Sequence, residues 1–306
     1  MINKYPLSPS MQRFVERCDS FFPDSVINQG IAAQRQAYNT MTASFAKEQA
    51  TSLIISDQLL NGVNTRRYQP KGDVNTTVFY AHGGGWYLGS LNSHDSFCAA
   101  IAKHCQVCVI SIDYRLSPEH PFPAGLNDCY AVYQALIQQG IRPLLLGDSA
   151  GANLMAALTL RARDNQLTCA LAQILIYPAL APPLSLSSHQ QFCDAPLLSA
   201  QSMAFCLQNY IPHCYQTSNN PAIFPLQATS LAALPQAVIL AAQFDPLVDD
   251  ARLYSQSLQE QGVSAQYIEI KGLVHGALHA IGSCDEANVL FAAICDQVQG
   301  FKEYSG

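Results

Sequence analysis

The chain has 306 residues, of which 49% are apolar and only 12% are charged, and its formal net charge is −6. Such a length accommodates one large α/β domain, and the negative charge argues against nucleic acid or an anionic membrane as a major partner. No apolar run reaches the roughly 18 residues that span a bilayer, and no basic and apolar leader is evident, so we expect a cytoplasmic protein.

The predicted elements begin with helices and continue with a hairpin. Residues 1 to 48 carry helical patterns, and one helical face collects the apolar residues Met11, Phe14, Val15 and Cys18. Two strands follow at Thr51–Leu59 and Val63–Gln69, separated by Asn61 and Gly62. We expect an antiparallel hairpin, because an Asn-Gly dipeptide favours the positive φ angles of a tight turn.

The remainder of the chain alternates between short apolar runs and helical stretches. Six further strands are predicted, at Thr77–Ala81, Val107–Ile112, Leu144–Leu146, Ala172–Tyr177, Ala237–Ala242 and Ala265–Ile270. The main helical stretches between them are Ser93–His104, Gly125–Gln139, Ala150–Arg163 and Asp249–Gln261. Strands that alternate with crossover helices predict the α/β class, here a mostly parallel eight-stranded sheet with helices on both faces.

Two segments do not fit this sheet. The first is the helical start at 1–48, and the second is 181–234, which is rich in proline and serine and contains a predicted helix at Ser199–Tyr210. Long loops in compact domains are usually functional lids or disordered. We predict that the two segments form a cap over a catalytic domain made of 49–180 and 235–306, the alternative being two unrelated peripheral additions.

A serine flanked by glycines lies between a predicted buried strand and a predicted helix. The sequence GDSAG occupies 147–151, where the chain must reverse its direction over a few residues. Glycines remove the Cβ atoms that would clash in such a turn, and the turn presents the serine hydroxyl at the end of the sheet. Ser149 is therefore a candidate nucleophile for acyl transfer, which also needs a base, an acid and donors for an oxyanion.

Three glycines follow the strand Thr77–Ala81 and supply candidate oxyanion donors. Backbone N–H groups can turn inward in such a loop without obstructing side chains. Two N–H groups of this loop and one beside the nucleophile could surround an oxyanion, and the candidates are Gly83, Gly84, Gly85 and Ala150. The loop lacks the ending of a phosphate-binding loop and the spacing of a dinucleotide fingerprint. We interpret His82 as a brace of the glycine loop through hydrogen bonding.

The acid and the base are predicted at later strand ends. Asp245 comes just after the seventh strand and is favoured over Asp249 and Asp250, which are typical of first-turn acids in the next helix. His275 follows the last strand and is favoured as the base, with His279 as its rival. A serine, an aspartate and a histidine at successive strand ends are typical of a hydrolase triad.

Several motifs together resemble the hormone-sensitive-lipase-like, or GDXG, branch of the α/β-hydrolase esterases. They are HGGGW at 82–86, DYRLSPEHPFPA at 113–124, GDSAGANL at 147–154, DPLVDD at 245–250 and His275. Within this branch the chain is similar to bacterial acetyl esterases. The resemblance implies a carboxylesterase with Ser149 as nucleophile, His275 as general base and acid, and Asp245 as orienting acid. It also implies a helical cap and an oxyanion hole formed by the glycine loop and Ala150, and the mechanism requires no metal or cofactor.

The residues that would shape the substrate pocket are less clearly indicated by the sequence than the triad. Ala277 stands where many members of the branch carry a bulky residue, and Ala152 stands where a second glycine is frequent, so both could reshape the pocket. Trp86 and Tyr87 beside the glycine loop suggest a short acyl slot under the cap. We therefore expect acetyl to hexanoyl esters to be preferred over long-chain lipids.

The motif at 113–124 has a structural interpretation of its own. Asp113, Arg115 and Glu119 are expected to form buried ion pairs that hold this loop beneath the active site, and its three prolines stiffen it.

Other functions and partners stay open. An amidase or a lactonase would use the same triad, and a regulatory or binding protein could keep a hydrolase fold. Cys105 and Cys108 form a CxxC without a second pair at zinc spacing, so we predict neither a redox nor a metal site. The expected partner is a small-molecule ester; the low charge leaves apolar surface that could serve a homodimer, and the resemblance alone leaves room for a regulatory protein.

Overall fold

The computed structural model describes residues 4–46, 52–72, 74–213 and 218–303. Parts of both predicted cap segments, at 1–3, 47–48 and 214–217, lie outside the described residues, and so does Thr51, the predicted start of the first strand.

Eight strands within the described residues form one sheet. They are β1 Leu53–Leu60, β2 Val63–Pro70, β3 Thr77–Ala81, β4 Cys108–Ile112, β5 Leu144–Asp148, β6 Ala172–Ile176, β7 Ala237–Phe244 and β8 Ala265–Val274. Their spatial order is β1-β2-β4-β3-β5-β6-β7-β8. Strand β2 pairs antiparallel with β1 and β4, and every other neighbouring pair is parallel. The predicted mostly parallel eight-stranded sheet is confirmed.

The helices lie before, between and after these strands. They are α1 Pro9–Ser20, α2 Asp24–Ile27, α3 Ile31–Phe45, α4 Asp95–Cys105, α5 Ala124–Gln138, α6 Ala150–Asp164, α7 Ser187–Gln191, α8 Ala200–Tyr210, α9 Val248–Glu260 and α10 Asp285–Glu303. Short 3₁₀ turns occur at Pro225–Gln227 and Ala277–Ala280. None of the described helices combines the length and the apolar character needed to cross a lipid bilayer.

Both faces of the sheet are covered by apolar packing. Alternate residues of a strand point to opposite faces, so Phe79 belongs to the apolar cluster that includes α5, α6 and α9, whereas Val78 and Tyr80 belong to the cluster that includes α1, α4 and α10. Strands β5 and β6 are buried along their whole length. Continuous apolar strands are the pattern that a parallel sheet covered on both faces requires.

Strand β3 is the point in the sheet where successive strands change from one side to the other. The chain passes from β3 to β4 on one side, then returns across β3 to place β5 on its other side. In open α/β sheets a crevice forms at the carboxyl ends of the strands at such a switch point. The loops that follow β3 and β5 flank this crevice, and they are the glycine loop and the turn at Ser149.

The N-terminal segment and the second non-sheet segment contact each other and the sheet. Helix α1 buries the predicted apolar face of Met11, Phe14, Val15 and Cys18, which confirms that pattern. The Lys4 Nζ and the Tyr5 hydroxyl each lie 2.6 Å from the Asp194 carboxylate in the second segment. The Tyr5 ring also lies against Phe192 and against Phe244 at the end of β7.

Candidate active site

Ser149 occupies a sharp turn between strand β5 and helix α6. Its backbone has φ 53° and ψ −120°, a conformation that residues other than glycine rarely adopt. The turn brings helix α6 so close to β3 that a Cβ on Gly151 would collide with the carbonyl oxygen of Ala81. The Ser149 N–H donates to the carbonyl of Ile176 on β6. The hydroxyl is thereby held at the carboxyl end of the sheet, as the motif predicts.

Ser149, His275 and Asp245 form one chain of hydrogen bonds. The Ser149 Oγ lies 2.9 Å from His275 Nε2, and His275 Nδ1 lies 2.7 Å from Asp245 Oδ2. Because carboxylate oxygens accept hydrogen bonds, Nδ1 is the ring nitrogen placed to donate to Asp245, which leaves Nε2 placed to accept from the serine hydroxyl. Asp245 is fully buried and also accepts from the Leu247 N–H, whereas His275 is 7% exposed.

The rival residues for the acid and the base are engaged elsewhere. Asp249 forms an ion pair with Arg252, and Asp250 accepts from the N–H groups of Leu180 and Ala181 at the root of the second non-sheet segment. His279 lies in the 3₁₀ turn after β8, where its Nε2 is 3.1 Å from the Tyr38 hydroxyl. Burial and the neighbouring His94 lower the pKa of His279 to about 3.

The glycine loop after β3 differs from the prediction at one position. The Gly83 N–H donates to Asp148 Oδ1 at 2.8 Å, so the prediction of Gly83 as an oxyanion donor is wrong. The physical reason is that a buried carboxylate next to the nucleophile must find donors. Gly84 adopts φ 116°, and a Cβ there would lie 2.5 Å from the Leu88 carbonyl oxygen, so only glycine fits. Gly84, Gly85 and Ala150 stay candidate donors.

Asp148 joins the glycine loop to the nucleophile turn, a role that the sequence reasoning missed. Besides the Gly83 N–H, its Oδ1 accepts from the Tyr80 hydroxyl at 2.6 Å, and its Oδ2 lies 3.7 Å from His94 Nε2. Burial alone would raise the pKa of Asp148, but His94 and the Tyr80 hydrogen bond outweigh it and lower the pKa to about 2. The sequence feature that could have indicated this role is an acidic residue, Asp148, at the end of an otherwise apolar strand.

His82 contacts the glycine loop as predicted for a brace. Its Nδ1 lies 2.8 Å from the Gly83 carbonyl oxygen, and its ring stacks on Tyr114 with 4.4 Å between the ring centroids. Burial lowers the pKa of His82 to about 3. A neutral ring held in this way fixes one end of the loop and takes no proton at neutral pH.

Trp86 and Tyr87 connect the glycine loop to the two non-sheet segments. The Trp86 ring is parallel to that of Tyr210 on α8, with 4.4 Å between centroids. The Tyr87 hydroxyl lies 3.1 Å from Gln34 Oε1 on α3, and its ring meets Phe205 on α8 edge to face. Both side chains are more than nine-tenths buried by this packing. Their role as pocket lining stays a prediction.

Two of the three charged residues singled out in the motif at 113–124 form ion pairs that anchor this loop, but the pairs are not buried as predicted. Arg115 pairs with Asp128 on α5 at 2.7 Å, and Glu119 pairs with Arg35 on α3 at 2.7 Å. About half of the Arg115 and Glu119 side chains is exposed, so these are not buried pairs. Asp113 lies directly after β4 and is exposed, so it is not part of a buried pair either. The loop runs over the surface between α3 and α5, so its charged side chains pair with these helices and stay partly exposed.

The sheet order and the placement of these loops define the class of the protein. A nucleophile turn after β5, with an acid and a histidine after the next parallel strands, is the arrangement of α/β hydrolases. The sequence profile described as alpha/beta hydrolase fold matches residues 78–279, and the chain belongs to this family.

Named relatives and solved structures give this family context. The chain is 36% identical over 228 residues to "Carboxylesterase NlhH" of Mycobacterium tuberculosis, covering 71% of this chain and 72% of the relative. It is 30% identical over 248 residues to "Ethyl acetate hydrolase" of Pseudomonas putida, with 76% and 77% covered. The structure of a Pyrobaculum calidifontis esterase superimposes with a TM-score of 0.85 at 28% identity, covering 96% of this chain and 99% of that one.

Proposed function

We propose that this protein is a serine carboxylesterase that hydrolyses short-chain acyl esters through an acyl-enzyme intermediate. The observation that carries the proposal is the hydrogen-bonded chain from Ser149 through His275 to Asp245, with separations of 2.9 Å and 2.7 Å. Three such groups turn a weak hydroxyl into a nucleophile because the histidine removes its proton as it attacks. The names of the related esterases support the same reaction.

The first half of the reaction forms the acyl enzyme. His275 Nε2 takes the hydroxyl proton while Ser149 Oγ attacks the ester carbon, and the carbonyl electron pair moves onto oxygen. The N–H groups of Gly84, Gly85 and Ala150 are the proposed donors to that oxyanion. One such donor is typically worth about 3 to 4 kcal/mol in the transition state. Collapse of the intermediate breaks the bond to the leaving oxygen, which receives the proton from His275.

The second half regenerates the enzyme. His275 takes a proton from water, the water oxygen attacks the acyl carbon, and Ser149 leaves with the proton returned by His275. Asp245 holds the ring in the orientation that both halves need. All of these groups belong to the chain itself, so the proposed steps use no metal or cofactor.

The two non-sheet segments are proposed to act together as a cap over 49–180 and 235–306. Four contacts support this proposal. Asp194 binds Lys4 and Tyr5, which joins the two segments to each other. Tyr87, beside the glycine loop, is held by Gln34 from the first segment and by Phe205 from the second.

A short acyl slot is proposed because α8 lies directly over the glycine loop. A Cβ on Gly85 would collide with the Cys206 thiol of α8, so little free space separates the helix from the loop. Trp86 stacked on Tyr210 closes the adjacent side. The name of the ethyl acetate hydrolase relative is consistent with small esters. The cytoplasmic location, a homodimer and a regulatory protein partner stay predictions from the sequence.

A series of p-nitrophenyl esters tests the proposed substrate class. We expect kcat/KM to be highest between acetyl and hexanoyl, with a broad optimum, because each methylene changes discrimination by only about 1 to 3 kcal/mol. Cys206→Ala should shift the optimum toward longer chains, since it removes the thiol above Gly85. Cys193→Ala, at an exposed cysteine of the same segment, is the control and should leave the profile unchanged.

Two results would overturn the proposed specificity. One is an optimum at dodecanoyl or longer esters in the wild-type protein. The other is turnover of p-nitroacetanilide within tenfold of p-nitrophenyl acetate, which would make an amidase the better description of the same triad.

A further inference from the structure

Arg35 on α3 joins three parts of the chain that are distant in sequence. Its Nε donates to the carbonyl of Tyr87 at 2.7 Å, and its Nη2 donates to the carbonyl of Ser117 at 2.8 Å. Nη1 and Nη2 also donate to the two carboxylate oxygens of Glu119 at 2.8 Å and 2.7 Å. One guanidinium therefore binds the segment after the glycine loop and the loop at 113–124 simultaneously.

The backbone that Arg35 binds carries the proposed oxyanion donors. Tyr87 comes two residues after Gly85, and between them Trp86 adopts φ 60°, a left-handed conformation that is costly for a bulky residue. The Trp86 carbonyl accepts from the Ser117 N–H at 2.9 Å. The carbonyls of Trp86 and Tyr87 therefore accept hydrogen bonds from Ser117 and Arg35, which lie outside this loop. Such contacts stabilise a strained turn that would otherwise relax.

The chemistry of the guanidinium suits this task. Its planar set of five donors can bind two carbonyls and a carboxylate at fixed angles, which a lysine ammonium cannot reproduce. The pair with Glu119 is partly exposed, so by itself it contributes little stability. The donors that reach the loop backbone are Nε, which faces the Tyr87 carbonyl, and Nη2, which faces the Ser117 carbonyl.

We propose that Arg35 is a positioning residue for the oxyanion hole, through which the N-terminal segment acts on the transition state. The inference rests on the proposed esterase function. Stabilisation of an oxyanion requires donors within a few tenths of an ångström of their working positions. Without Arg35, the carbonyls of Tyr87 and Ser117 lose their shared donor, the strained turn at Trp86 relaxes, and the N–H groups of Gly84 and Gly85 shift with it.

Steady-state kinetics of four variants test this inference. Arg35→Met keeps the apolar stem and removes every donor, and we expect it to lower kcat by about 10- to 100-fold with less than a threefold change in KM. Arg35→Lys should also lose at least fivefold in kcat, whereas Glu119→Gln should stay within threefold of wild type. Arg17→Met is the matched control, because Arg17 donates to the Ser44 carbonyl far along the same N-terminal segment.

A second readout separates positioning from general destabilisation. A trifluoromethyl ketone bound to Ser149 presents a tetrahedral oxyanion. Its inhibition constant should therefore rise in the Arg35 variants by the same factor by which kcat/KM falls. Thermal unfolding of each variant is recorded alongside, and Arg17→Met should lose stability without losing kcat. If Arg35→Met fails to fold, Arg35→Lys carries the comparison.

Two outcomes would overturn the inference while leaving the esterase intact. The first is an Arg35→Lys variant and an Arg35→Met variant that both keep kcat within threefold of wild type. The second is a loss confined to KM with unchanged affinity for the ketone, which would limit Arg35 to closing the pocket. Failure of the proposed function would look different, because wild-type protein would then hydrolyse no ester or would do so equally well without Ser149.

Discussion

Ser149→Ala is expected to lower kcat for p-nitrophenyl acetate by roughly 10⁴- to 10⁶-fold, because the attacking atom is removed. Residual hydrolysis by water should persist, since the oxyanion donors and the binding pocket are intact. The loss should appear in kcat at nearly constant KM, provided that acyl transfer limits turnover. Measurement of initial rates over a range of ester concentrations gives both constants.

Fold integrity is the necessary control for this variant. The hydroxyl contributes one hydrogen bond to a half-buried site, so its loss should change the free energy of unfolding by about 1 kcal/mol or less. Ser185→Ala removes an exposed hydroxyl in the second non-sheet segment and should keep full activity. If the purified Ser149→Ala protein retained more than a tenth of wild-type activity, Ser149 would not be the nucleophile.

His275→Ala should reduce kcat to nearly the level of Ser149→Ala, since the serine then lacks the group that accepts its proton. Members of a triad act as a unit, so the double variant should be no slower than either single variant. His279→Ala is the matched control: it breaks the contact with Tyr38 and should reduce stability while keeping kcat within about tenfold of wild type. If kcat fell strongly in His279→Ala and only slightly in His275→Ala, His279 would be the base instead of His275.

The positions of the reactive loops follow from patterns that are local in the sequence. Short apolar runs separated by helical stretches predict parallel strands, and the observed strands begin or end within a few residues of the predicted bounds. Because Ser149, Asp245 and His275 each come directly after such a run, parallel pairing alone brings them to one edge of the sheet. The hydrogen bonds between their side chains could not be predicted in this way.

The contacts that could not be predicted join groups from distant parts of the chain. Glu119 meets Arg35, which lies 84 residues earlier on a helix outside the sheet, and no periodicity reports where that helix packs. The Gly83 N–H is taken by Asp148, 65 residues later, because a buried carboxylate needs donors that its own strand cannot supply. Both contacts depend on tertiary packing, which a single sequence does not encode in any local pattern.

Intact mass analysis after treatment with an organophosphonate ester tests whether Ser149 is activated by His275. We expect one adduct, assigned to Ser149 by peptide mapping, in the wild-type protein and in His279→Ala. The adduct should be lost in His275→Ala at the same exposure time and in Ser149→Ala at any time. An adduct on a different residue, or equal labelling of wild-type protein and His275→Ala, would contradict the proposed nucleophile or the proposed base.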